Sequence, residues 1–146
     1  MLRIAFFDVL IFVSSGYALL RGGAPERIVG AALPIAYGAT LLSYAELSVR
    51  FDRVETGVLV VDAVLLVILT MVALRADRAW PILLAGLQLA TVGAHLVKLD
   101  DVGVTRVAYA LAMAVWSYPM LFALAWGTRR HRLRLRANGA DQDWSA

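Results

Sequence analysis

The chain has 146 residues, 61% of them hydrophobic and 17% charged, with a formal net charge of +3. Soluble domains carry roughly 45–50% apolar and about 25% charged residues, so one core of this size cannot hide so much apolar surface and lipid has to cover part of it. The sequence contains no cysteine, which excludes a disulfide framework, thiolate metal sites and thiol catalysis.

Residues 4–20 form the first apolar segment, short and interrupted by Asp8. Asp8 and the lack of a clean small-x-small cleavage site before Arg21 favour a retained span over a cleaved signal peptide. The linker RGGAPER (21–27) leads to a second segment, 28–48, free of charge until Glu46 near its end. After RFDRVE (50–55) comes a third, 57–74, continuous except for Asp62. RADRA (75–79) precedes the fourth, 80–97, which Trp80 opens as an interfacial anchor with Pro81 in its first turn. The loop 98–106 leads to the fifth, 107–127. A helix needs about 20 residues to cross ~30 Å of hydrocarbon, and none of these runs alternates as a transmembrane strand does.

The expected architecture is an all-α, up-and-down membrane bundle of five transmembrane helices over residues 1–128, followed by a basic cytoplasmic tail, 129–146. Four spans is the alternative if 4–20 fails to cross. The tail is expected to be helical at its basic start and frayed towards its end. Pro34 and Pro119 are expected to kink their helices by freeing the carbonyls of Gly30 and Val115.

Basic residues orient the bundle. One face carries Arg3, Arg50, Arg53, Lys98 and Arg106; the other carries Arg21, Arg27, Arg75, Arg78 and the tail residues Arg129, Arg130, Arg132, Arg134 and Arg136. The positive-inside rule puts the second face in the cytoplasm, with the N-terminus outside a bacterial inner membrane. The tail arginines leave the membrane where anionic lipid headgroups attract them, at up to about 1 kcal/mol each. Nucleic acid is not an expected partner, because no aromatic platform or folded reader accompanies them.

Helix alternation also sets Asp8, Glu46, Asp62 and His95 towards one, periplasmic, side, with Lys98 at its rim. Intramembrane ionisable groups are functional candidates by default. The reading placed first is a set of interhelical hydrogen bonds and salt bridges. A layer handling protons or a divalent cation comes second, since Zn²⁺ accepts imidazole and carboxylate ligands. Catalysis comes last, because no nucleophile accompanies the pair. Gln88 reads as a separate interhelical hydrogen-bonding group. No cofactor is expected: His95 is the only histidine in any span, so one chain cannot supply two axial haem ligands.

Small residues recur at helical spacing: Ala32, Ala36 and Thr40; Gly86, Ala90 and Ala94; Ala108 and Ala112. Such stripes let helix backbones approach closely in lipid, within one chain or between chains. The sequence therefore points to a small non-enzymatic membrane subunit that packs with itself or with a larger membrane complex. The opposing class is a proton- or cation-handling carrier or sensor.

Overall fold

The computed structural model describes residues 2–43, 56–99 and 115–144. Among these, 88% are helical, in five helices, with no strand. The helices are α1 (Leu2–Arg21), α2 (Ala24–Ser43), α3 (Thr56–Arg75), α4 (Trp80–Leu99) and α5 (Ser117–Asn138). Glu46, Ala108, Ala112, Arg50, Arg53, Arg106 and the side chains of Arg3 and Lys98 lie outside the described residues.

Local chemistry sets the junctions. The expected seven-residue linker between α1 and α2 contracts to Gly22 and Gly23. A Cβ on Gly22 would run into the Glu26 side chain and the Ala18 carbonyl, so the turn requires glycine there. Glu26 then reaches back, its Oε2 accepting the Gly23 N–H at 3.1 Å, which satisfies an orphan donor at the start of α2. Pro25 and Pro81 each sit in a helix's first turn, where no intrahelical N–H is required. Pro119 falls in the first turn of α5, which begins at Ser117 after Trp116, itself in the right-handed helical conformation. At its other end α5 closes on Gly139, at φ 73°, whose N–H bonds the Leu135 carbonyl at 3.0 Å.

Consecutive helices run antiparallel, and α5 returns beside α1. The five thus close a ring in which each touches the next, with α2 also reaching α5. Small residues permit the approaches: Gly30 of α2 lies against Ala18 and the Ser15 carbonyl of α1, and Gly127 of α5 against the Trp80 indole. Ile11, Val29, Leu33, Leu65, Leu69, Leu84, Leu121 and Leu124 form the shared core.

The outside of this ring is apolar. Phe6, Phe12, Leu20, Leu42, Val64, Leu74, Leu89, Phe122 and Trp126 are exposed, whereas Ser14, Ser15, Glu26, Gln88, Thr91, His95, Thr128 and His131 are buried. Contiguous apolar surface on this scale marks contact with lipid or protein rather than water. Two buried hydroxyls bond back to their own helices, Thr91 to the Leu87 carbonyl at 3.2 Å and Thr128 to that of Leu124 at 2.9 Å.

Among the described residues, three helical segments are long and apolar enough to cross a membrane: Ile4–Arg21, Thr56–Arg75 and Trp80–Val97. The short first segment is therefore among the span-competent ones. α2 begins with Glu26 and Arg27 in its first two turns and is described only to Ser43. The described part of α5 joins the end of an apolar run to the arginine run. The tail also departs from expectation. Its helix continues to Asn138, and after Gly139 the chain turns back so that Trp144 packs on the core.

Candidate functional site

Two polar centres occupy opposite ends of the ring. The first lies between α3 and α4. Asp62 is six residues beyond the start of α3, about 9 Å along the helix at roughly 1.5 Å per residue. Gln88 and His95 are two turns apart on α4 and share its buried face with Leu84 and Thr91. Gln88 Nε2 donates to Asp62 Oδ1 at 2.9 Å and to the Asp62 carbonyl at 3.1 Å. His95 Nε2 lies 3.0 Å from Asp62 Oδ2, so a proton on that nitrogen is shared with the carboxylate. Gln88 and His95 are only 3% and 1% exposed. This centre is a bridged imidazole–carboxylate pair, able to store or pass one proton.

Asp8, assigned by the sequence to the same layer, has a different partner. It accepts a hydrogen bond from the Tyr37 hydroxyl at 2.6 Å. The Tyr37 ring packs edge-on against Phe7, which meets Tyr118 of α5 in the same way, both at 5.4 Å between centroids. Among the described residues, Asp8, Asp62 and His95 do not form a three-ligand metal group.

The second centre was not anticipated. Glu26 and Arg78, 0% and 8% exposed, form an ion pair through Arg78 Nη1 and both Glu26 oxygens. Arg78 Nη2 reaches the folded-back tail, bonding Asp141 Oδ2 at 2.9 Å, Asp143 Oδ1 at 3.1 Å and the Gln142 carbonyl at 3.2 Å. His131 Nδ1 lies 2.6 Å from Asp141 Oδ2, short enough to be its donor, which leaves the 3.3 Å approach of Arg78 to that nitrogen a contact. Arg134 closes on Asp141 through Nε at 2.7 Å and Nη2 at 3.2 Å. Burial pushes the Asp141 carboxyl up, but hydrogen bonds from Arg134 and His131 and the Arg78 charge bring it below its ordinary value. The hydrogen bond to Asp141 holds the Arg134 guanidinium above its own, against the opposing effect of burial.

Glu26, His131 and Asp143 bring one ligand atom each within 4.8 Å of one another, a spacing a metal ion would accept. The Arg78 guanidinium already contacts all three residues, so a cation has this place. The knot is an arginine held by carboxylates.

The other tail arginines stand apart from it. Arg129 and Arg136 are exposed, Arg132 is half-buried, and Arg130 lies over the exposed Trp126 ring at 5.6 Å. Of the five, Arg134 turns inward to Asp141. Among the small-residue stripes, Ala32 and Ala36 pack on the core, whereas Gly86 and Ala90 face outward with Ala94 half-buried beside them. No family model, curated protein or solved structure matches the chain.

Proposed function

We propose that the chain is a five-span protein of a bacterial inner membrane, with its N-terminus outside and its C-terminus cytoplasmic. In that membrane it acts as a non-catalytic subunit that packs against a second copy or a larger membrane complex. The observation that carries this reading is the outward face of α4. Gly86 is exposed, and a Cβ built there would meet nothing within 4 Å; one turn on, Ala90 is exposed too. Bulky Leu83, Leu89 and Val97 flank this strip on the same helix. A flat strip of small residues on a lipid-facing helix lets a second helix approach its backbone, the main source of helix association without a hydrophobic driving force. The five-span count rests on the antiparallel ring, and the orientation on nine basic residues against five. Size-exclusion chromatography with light scattering in mild detergent tests the reading. The wild type should run as an assembly, and Gly86→Leu should weaken it without unfolding the chain. A monomer unchanged by Gly86→Leu, with no co-purifying subunit, would overturn it.

The Asp62–His95 pair favours a second reading, a proton- or cation-responsive carrier or sensor. Buried imidazole–carboxylate pairs within spans serve as proton relays. This reading requires a pH- or cation-dependent property that Asp62→Asn abolishes while the fold persists.

A further inference from the structure

The tail carboxylates sit in a cradle that other segments build. The α1–α2 turn gives Gly23, the α3–α4 turn gives Arg78, and α5 gives His131 and Arg134. Glu26 fixes Arg78 from behind, so the guanidinium does not depend on the tail for its position. The Arg78 Nε–H is buried with no partner among the described residues. Gly23 leaves the space in which Asp143 lies, since a Cβ there would overlap its Oδ1.

Without Asp141 and Asp143, Arg78 and Arg134 would face Glu26, with the Asp77 charge also acting on Arg134, and Arg27 lines the adjoining groove. That open groove also runs past Gly22, Ala24, Ile28 and Leu135, and the last two are exposed apolar side chains. An anion-binding cradle thus continues into an apolar flank at the end of the bundle where α5 passes from apolar to basic sequence.

We propose that this cradle is a binding site for the phosphate of an anionic membrane lipid, and that Asp141 and Asp143 occupy it as an internal competitor. Guanidinium groups recognise carboxylate and phosphate oxygens alike, by charge-assisted and often bidentate hydrogen bonds. Ile28 and Leu135 offer contact to the first carbons of an acyl chain, which a free phosphate lacks. Docking of the tail closes the site, and its withdrawal opens it. The proposal rests on the membrane reading above.

The test uses the full-length chain in mild detergent, with bound lipid counted by native mass spectrometry. The probes are dioleoyl phosphatidylglycerol, dioleoyl phosphatidylcholine and inorganic phosphate. Asp141→Asn with Asp143→Asn should raise affinity for one phosphatidylglycerol by about tenfold or more and create a preference over phosphatidylcholine. Adding Arg134→Gln should remove most of that gain. Asp143→Asn alone, which leaves Asp141 on Arg78, His131 and Arg134, should give a smaller gain in the same direction, and this covers the case in which the double variant does not fold. Millimolar phosphate should not displace the lipid. Equal phosphatidylglycerol binding with the tail docked or released would overturn the proposal, as would a gain that Arg134→Gln leaves intact. Full displacement by inorganic phosphate would reassign the site to a soluble anion and refute the lipid. Failure of the membrane reading shows separately, as a monodisperse chain recovered without detergent, and removes the proposal with it.

Discussion

Replacing Arg78 by Met should destabilise the chain more than any single change at its partners. Glu26 is fully buried, and its partners among the described residues are Arg78 and the Gly23 N–H. Arg78→Met therefore leaves a charged carboxylate with one backbone donor, a situation that costs about 3–5 kcal/mol. At roughly 2–4 °C per kcal/mol for a chain of this size, the melting temperature in detergent should fall by about 6–20 °C. Glu26→Gln is predicted to be milder, at about 1–3 kcal/mol. Arg78 would keep Asp141, Asp143 and the Gln142 carbonyl, and the new amide still offers an acceptor. The double variant Glu26→Leu/Arg78→Met removes both charges and should lie closer to wild type than Arg78→Met alone, because burying an ion pair offers little net gain over apolar packing. The assay is thermal unfolding under one detergent condition of wild type, Glu26→Leu, Arg78→Met and their double variant, which close a double-mutant cycle, with Glu26→Gln measured beside them. A shift under about 2 °C for Arg78→Met, or purely additive effects in the double variant, would refute the buried pair.

At the other centre, Asp62→Asn should be tolerated, whereas Asp62→Leu should cost about 1–3 kcal/mol by stripping Gln88 Nε2 and His95 Nε2 of a shared acceptor; melting curves from about pH 5 to 8 check both. Equal stability of the two variants would contradict the interhelical role. Gly127→Ala would set a methyl 2.7 Å from the Trp80 ring, and the displaced indole should lower stability by about 1–3 kcal/mol and change tryptophan emission. Asp141 titrates below its ordinary range in the folded chain, so its contribution is present above the unfolded pKa and is lost as pH falls through the folded value. The tail should stay docked from pH 8 to about pH 5 and release below about pH 4. Emission from Trp144, taken as wild type minus Trp144→Phe, follows this, and a release midpoint above pH 5 would contradict it.

The helical architecture was legible because apolar runs of span length, separated by short charged breaks, leave antiparallel helices as the economical packing. The Asp62–His95 contact was half legible: helix alternation sets both at one depth, but only packing decides which acid meets the imidazole. Gln88 belongs with them by a signal that was present, since a spacing of seven returns a residue to the same helix face. Asp8 pairs with Tyr37, a neutral partner that a survey of ionisable groups passes over. The charged knot is not read from the sequence, because the basic residues at that end already serve there as topological charge and as contacts to lipid headgroups. The same alternation carries Glu26 to Arg78, and Gly139 signals a helix stop that turns Asp141 and Asp143 back onto the arginines. Burial of Glu26 and Arg78 depends on the two-glycine turn between α1 and α2, whose closeness becomes apparent only when the helices are packed.

The central claim, a membrane bundle whose knotted end faces the cytoplasm, is tested most directly by labelling single cysteines placed in this cysteine-free chain. Asp77→Cys and Asn138→Cys lie at the knotted end and Asp52→Cys and Asp101→Cys in the sequence segments assigned to the opposite face, so a membrane-impermeant maleimide applied to intact spheroplasts separates the two sets. Positions 52 and 101 should react from outside, whereas positions 77 and 138 should react only after the membrane is opened. Outside labelling at position 138 would reverse the orientation, and labelling of 77 and 138 from opposite sides would contradict the bundle itself.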